Sequence, residues 1–126
     1  MAGEPILIVD DNLTNSKLVR IVLEGEGFFV KIADDAEEAL QLLETFEPRL
    51  ILMDVQLPGM DGLALTRQLR HDQRFRQTWI VALTAYAMKG DDEKAFAAGC
   101  DGYVTKPIDI DALPVEVASY LARSRS

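Results

Sequence analysis

The sequence predicts an α/β fold, a (βα)5 doubly wound domain with a parallel five-stranded sheet in the order 2-1-3-4-5. Short, fully apolar segments alternate five times with segments of helical periodicity. This pattern is typical of a parallel sheet that is covered by helices on both faces. The chain has 126 residues, for which one domain is the natural count. We therefore expect a single domain over residues 1–126, with its core at 5–123.

The first strand–helix unit begins with the continuous apolar run at 6–9, which indicates a strand buried on both faces. A helical pattern follows at 13–26, and Gly27 ends it. A second strand is predicted at 28–32. Three side chains could cap the first helix: Asp11, Asn12 or Thr14.

The second helix is predicted to open with a capping box. Asp35 is the expected N-cap, and Glu38 is the acid at the third helical position. We expect this helix to continue to about Phe46, because Pro48 lies just past that point and cannot extend it.

The third and fourth units repeat the pattern. An apolar strand at 50–53 precedes a helix at 60–70, and a fourth strand at 79–83 ends at Thr84. Helix four begins with acids at 91–93, where the helix dipole favours negative charge, and Gly99 ends it.

The fifth unit combines a short strand at 103–105 with a helix that runs to about Arg123. Pro114 lacks an N–H, so in a helix interior it would cost about 3 kcal/mol. With Asp111 as the N-cap, Pro114 is the third helical residue and no intrahelical bond is lost. We therefore expect a late helix start, at Ala112.

Composition excludes several classes of function. The net charge of −8 disfavours nucleic-acid binding, and no apolar run approaches the roughly 20 residues of a membrane span. The N-terminus lacks the basic region of a signal peptide. The single Cys100 suits a reducing compartment, where we expect it to be a small buried apolar residue. The protein is expected to be cytoplasmic, and a single His71 excludes a metal site built on imidazoles.

Polar side chains mark the ends of the predicted strands: Asp10 and Asp11 after strand one, Asp54 after strand three, Thr84 after strand four and Lys106 after strand five. In a parallel sheet of this order, ligands bind at the carboxyl ends of the strands, at the switch point between strands one and three. We expect the three acids to meet there.

Three clustered carboxylates repel one another and normally require a cation. All-oxygen ligands suit Mg²⁺, with Mn²⁺ as a substitute. Lys106 and the Thr84 hydroxyl remain as donors facing the cluster. A metal, an ammonium, a hydroxyl and a carboxylate together suit phosphoryl transfer, with Asp54 as the nucleophile.

Four motifs link the chain to a known family: "ILIVDDN", "LILMDVQLPGMDG", "IVALTA" and "GYVTKPI". The chain resembles a response-regulator receiver domain of the CheY-like superfamily, the aspartate-phosphorylated half of two-component signalling, over residues 5–123. It looks most similar to single-domain receivers of the DivK type and to receivers attached to hybrid histidine kinases. The resemblance implies a flavodoxin-like fold and a phosphorelay signalling domain, which is not an enzyme beyond promoting its own phosphorylation and dephosphorylation.

The resemblance also implies a phosphoacceptor and a metal site. Asp54 would accept a phosphoryl group from a phosphohistidine of a sensor histidine kinase or a histidine phosphotransfer protein. Asp11, Asp54 and the backbone carbonyl of Gln56 would hold Mg²⁺, and Asp10 would act through a metal-bound water.

Phosphate-binding and switch roles follow in the same way. Lys106, the Thr84 hydroxyl and the Ala85 backbone N–H would bind the phosphoryl oxygens. Tyr103 would turn inward when Thr84 moves, so that helix four, strand five and helix five form the output face for a downstream protein. The Lys106–Pro107 bond is expected to be cis.

Two side chains are predicted to tune the phosphoryl lifetime: Gln56, two residues after the acceptor, and Tyr86, two after Thr84. Both should flank the approach of the hydrolytic water. The Gln56 amide could orient that water, whereas the Tyr86 ring could exclude it. We expect exclusion to dominate and the phosphorylated form to be long-lived.

Rival readings remain for this site. A haloacid-dehalogenase-type phosphatase would need a general acid where Gln56 stands, and an FMN binder would need a neutral phosphate loop where the chain has two acids. A phospho-independent adaptor and a receiver excised from a hybrid kinase are further alternatives. We expect a monomer or weak dimer, and no motif identifies the kinase or the target.

Overall fold

The computed structural model describes residues 3–57, 59–85 and 91–123. Five parallel strands form one sheet in the order β2-β1-β3-β4-β5, as predicted. The strands and helices alternate along the chain, with a short 3₁₀ turn at Gln73–Phe75: β1 Pro5–Val9, α1 Leu13–Gly25, β2 Phe29–Ala33, α2 Ala36–Leu42, β3 Leu50–Asp54, α3 Gly62–Arg70, β4 Trp79–Thr84, α4 Asp91–Ala98, β5 Gly102–Thr105 and α5 Leu113–Ala122.

The core lies on both faces of this sheet. Alternate strand residues point to opposite faces, so Leu7 and Ile51 pack with α2, α3 and α4, whereas Ile6 and Leu50 pack with α1 and α5. Strands β1, β3 and β4 are therefore apolar apart from the last residues of β3 and β4, Asp54 and Thr84. Within the described residues, no helix combines the length and apolarity needed to span a bilayer.

Helix α1 begins where the sequence indicates. Of the three candidate caps, the structure selects Asn12, whose side-chain oxygen accepts the Asn15 N–H at 3.0 Å. The chain then leaves the helix at Gly25, just before Gly27, whose φ of 95° favours glycine.

Helix α2 differs from the expectation at both ends. Asp35 caps it as predicted, but Glu38 accepts the N–H of Asp34 rather than that of the cap residue. The helix ends at Leu42 and not near Phe46. Beyond Leu42 the chain tightens into a turn in which the Glu44 N–H reaches back only three residues, so the helix stops well before Pro48.

Helix α5 starts late, which confirms the argument from Pro114, the second residue of the helix. The predicted cap was wrong, however. The side chain of Asp109, and not that of Asp111, accepts the N–H groups of Asp111 and Ala112, at 3.0 and 3.2 Å. Ala112 is the N-cap, without a side-chain capping bond, and the helix begins at Leu113, one residue later than predicted.

Arg70, at the end of α3, holds together the edge of the sheet where β4 and β5 begin. Its side chain donates to the backbone carbonyls of Phe75, Thr78 and Gly99 at 2.7–2.9 Å and pairs with the Asp101 carboxylate at 2.8 Å. The Asp101 carboxylate also accepts the Ile80 N–H at 2.9 Å. We call this group of contacts the Arg70 clamp.

Cys100 is buried, as expected for a small apolar residue. Burial raises the pKa of its thiol to about 11. The reactive thiolate is therefore scarce at neutral pH, and we assign the residue a packing role.

Candidate functional site

The strand register brings the predicted site residues to one edge of the sheet. Val9 lies opposite Met53, so Asp10 and Asp54 follow on adjacent strands. Thr84 lies opposite Thr105, the residue before Lys106. Asp10, Asp54, Thr84 and Lys106 therefore all lie at the carboxyl ends of the strands β1, β3, β4 and β5, where ligands bind in a doubly wound sheet.

The three acids form a compact cluster. One carboxylate oxygen from each of Asp10, Asp11 and Asp54 lies within 4.8 Å of the others. Asp10 is fully buried and Asp54 is 3% exposed, whereas Asp11 is exposed. Such proximity is costly because like charges repel strongly where water is excluded.

Lys106 supplies the counter-charge. Its Nζ lies 2.9 Å from Oδ2 of Asp54 and 3.5 Å from Oδ2 of Asp10. Burial lowers the pKa of Lys106, but its hydrogen bond to Asp54 and the two negative charges outweigh burial, so the pKa lies above the ordinary value. The ammonium stays charged at neutral pH and compensates one of three carboxylates.

The Asp54 carboxylate is held in place on both oxygens. The backbone N–H of Gln56 donates to Oδ1 at 2.9 Å, while Lys106 occupies Oδ2. Burial raises the pKa of Asp54 and outweighs these two hydrogen bonds, which act in the opposite direction. The fold therefore destabilises the charged form of this carboxylate, which makes added positive charge at the site favourable.

Asp10 is fixed by two donors that the sequence analysis did not anticipate. The Asn12 backbone N–H donates to Oδ1 at 2.9 Å, and the Asn15 side-chain amide donates to Oδ2 at 3.0 Å. In the described part of the chain, the Asp11 carboxylate receives no such bond. Asn15 lies three residues after the helix cap, and only that spacing could have indicated it.

Gly62 is a second residue that sequence reasoning missed. A Cβ built at this position would collide with the backbone carbonyl oxygen of Asp54. The Gly62 N–H also donates to the Val55 carbonyl at 3.1 Å. The start of α3 can therefore approach the segment that carries the candidate acceptor only because residue 62 has no side chain.

The remaining predicted residues lie around this centre. Thr84 is buried at the end of β4 and is followed by exposed Ala85. The Tyr103 ring is outward and 42% exposed, with its centroid 6.2 Å from that of Phe96. The Lys106–Pro107 bond is cis, as expected, and Tyr86 lies outside the described residues.

The donor set fits a small, hard cation. The cluster offers carboxylate oxygens only, and within the described residues one ammonium faces three acids, so it offsets the charge of only one of them. Divalent cations of the Mg²⁺ type prefer such oxygen ligands. The buried, positioned carboxylate of Asp54 beside that ammonium is suited to nucleophilic attack on an anionic group.

Comparison with known proteins reveals close relatives. The sequence model described as "Response regulator receiver domain" matches residues 6–118. The chain is 40% identical over 116 residues to the polar-differentiation response regulator DivK of Brucella ovis, covering 92% of this chain and 94% of that protein.

Solved structures give the same picture. A putative response regulator from Chloroflexus aurantiacus superposes with a TM-score of 0.90 at 35% identity, covering 96% of this chain and 99% of the other. The receiver domain of the sensor histidine kinase PA1611 from Pseudomonas aeruginosa superposes with a TM-score of 0.87 at 34% identity, covering 97% and 100%. That structure is described as having a magnesium ion coordinated in its active site cleft.

Proposed function

The chain belongs to the response regulator receiver domain family of two-component systems, and from this premise we propose that Asp54 accepts a phosphoryl group from a phosphohistidine. The donor is a sensor histidine kinase or a histidine phosphotransfer protein. One observation carries the proposal: Asp54 is buried, 2.9 Å from Lys106 and within one cluster with two further acids.

The chemistry is a phosphoryl transfer between side chains. An oxygen of Asp54 attacks phosphorus, the P–N bond to the donor histidine breaks, and an acyl phosphate forms. The imidazole nitrogen keeps the electron pair of the broken bond. Lys106 offsets negative charge on the phosphoryl oxygens, and the protein contributes mainly positioning and electrostatics.

The acid cluster is the proposed magnesium site. Asp11, Asp54 and the backbone carbonyl of Gln56 would be ligands, and Asp10 would act through a water. Bound Mg²⁺ would supply positive charge that neutralises the phosphoryl oxygens. Exposed Asp11, with an unbonded carboxylate in the described structure, is free to ligate, whereas Asp10 already has two donors.

The Thr84 hydroxyl and the Ala85 backbone N–H complete the proposed phosphate site. When Thr84 moves towards the phosphoryl group, the exposed Tyr103 ring turns inward. The face formed by α4, β5 and α5 then changes shape for a downstream protein. Such a switch is a population shift, and moving from 1:99 to 99:1 takes about 5.5 kcal/mol of differential stabilisation.

The output face is tested by NMR with beryllium fluoride, which mimics the phosphoryl group. With Mg²⁺ present, amide shifts should concentrate at 85–99 and 102–112. Shifts confined to α1 and α2 would contradict the assignment of the output face.

Phosphorylation by a small-molecule donor tests the assignment of Asp54 as the phosphoryl acceptor. In acetyl phosphate and Mg²⁺, the parent should become phosphorylated and Asp54→Asn should not, because the amide keeps the shape and lacks the nucleophile. Asp111→Asn, at an exposed acid away from the cluster, is the matched control and should behave as the parent. Uptake by Asp54→Asn would refute the assignment, and no uptake by the parent would favour a phospho-independent adaptor.

A further inference from the structure

We infer that Asn15 is a positioning residue of the cation site, acting through the carboxylate of Asp10. This inference rests on the proposed function, since it concerns the same acid cluster. The Asn15 side-chain amide lies 3.0 Å from Oδ2 of Asp10. Asn15 does not belong to the cluster of three acids itself.

The amide is held firmly enough to orient its partner. Asn15 lies in the first turn of α1, where its backbone N–H is bonded to the side chain of Asn12 at 3.0 Å. Asn12 in turn donates its own N–H to Oδ1 of Asp10 at 2.9 Å. The start of the helix therefore presents one donor to each Asp10 oxygen, and the rotation of the carboxylate is fixed.

This orientation has a consequence for Lys106. The Nζ atom of Lys106 is 2.9 Å from Oδ2 of Asp54 but 3.5 Å from Oδ2 of Asp10. Because Asn15 donates a hydrogen bond to the same Asp10 oxygen, it weakens the attraction between that oxygen and the Lys106 ammonium. Loss of the amide would draw Lys106 from Asp54 towards Asp10 and leave Asp10 free to rotate away from the cation.

The chemistry explains why an amide suits this position. A carboxylate at residue 15 would add a fourth negative charge to the cluster, and an apolar side chain would leave the buried Oδ2 of Asp10 with only the Lys106 ammonium, 3.5 Å away. A neutral donor satisfies Asp10 without compensating its charge. Residue 15 therefore orients Asp10 without adding a charge that would compete with the cation.

The test is the dissociation constant of Mg²⁺, measured by NMR titration of the Gln56 amide in the folded protein. Asn15→Leu keeps the volume and removes the donor. Loss of a partner that orients a metal ligand weakens metal binding by about 10- to 100-fold, and because Asp10 would reach the cation through a water, we expect an effect at the lower end of this range, about tenfold. Thr14→Val, an exposed position in the same turn, is the control and should leave the affinity unchanged.

Asn15→Ala provides a second variant, because alanine favours the helix and protects against a failure to fold. A merely structural role would lower the free energy of unfolding without Mg²⁺ and leave the dissociation constant of the folded protein unchanged. Parent-like affinity in either folded variant would overturn the inference. If the parent binds no Mg²⁺, the proposed function fails instead, so the two failures are distinguishable.

Discussion

At the carboxyl ends of the strands, three carboxylates face one ammonium among the described residues, whereas at the opposite ends the guanidinium of Arg70 is surrounded by acceptors. Both regions are largely buried and both carry charge. They differ in whether the charge is matched within the fold. The site carries more negative than positive charge, whereas in the Arg70 clamp the guanidinium is paired with a carboxylate and bonded to several carbonyls.

This difference teaches where stability and ligand response reside. A clamp whose donors are bonded stabilises the fold and loses stability when its cation is removed. An acid cluster with uncompensated charge destabilises the fold until a cation binds, and that strain favours ligand binding. The two ends of the sheet should therefore respond to mutation with opposite signs.

The largest effect is expected at the clamp. Arg70→Met should lower the free energy of unfolding by about 3 kcal/mol, because it leaves the largely buried Asp101 carboxylate without its cation and several carbonyls without donors. Urea denaturation measures the change. Arg67→Met, at an exposed position of the same helix, should cost less than about 0.5 kcal/mol. Equal losses of unfolding free energy in the two variants would show that the Arg70 clamp does not stabilise the fold.

A smaller effect of opposite sign is expected at the site. Asp54→Asn should raise the free energy of unfolding in Mg²⁺-free buffer by about 1 kcal/mol. The substitution removes one of three clustered negative charges, and burial in the fold already disfavours the ionised form of Asp54. Adding Mg²⁺ should stabilise the parent more than the variant. If Asp54→Asn is less stable than the parent without metal, the site is not under electrostatic strain.

The smallest effect concerns the lifetime of the phosphoryl group at the site. We propose that the Tyr86 ring shields the acyl phosphate from water. This shielding should outweigh any help that the Gln56 amide gives to the attacking water. Tyr86→Ala should then accelerate dephosphorylation several-fold in Mg²⁺ without a phosphatase. An unchanged or slower rate would show that the ring does not guard the phosphate.

Much of the fold and the centre of the site could be predicted because each depends on local sequence. Fully apolar runs mark β1 and β3, and the residues that follow them, Asp10 and Asp54, have to meet once the sheet order is known. Pro114 restricted the start of α5 through its own geometry. These features are determined by residue type and position alone.

Other features depend on partners that the sequence does not display. Arg70 binds backbone carbonyls, which every residue carries, so no sequence motif indicates the clamp. Gly62 matters only because the Asp54 carbonyl approaches it. Asn15 resembles any polar residue in a first helical turn until its distance to Asp10 is known. Tertiary contact, and not local preference, determines these roles.

The Lys106–Asp54 contact, which joins residues 52 positions apart, also makes the site a measure of completed folding. Non-local contacts form only after the entropy of closing the intervening chain has been overcome, so they form late. A chain that has emerged from the ribosome only as far as β4 holds the acids without their ammonium. Under the proposed function, competence to accept a phosphoryl group therefore arises only with the docking of β5, and an incompletely folded molecule would not take part in signalling.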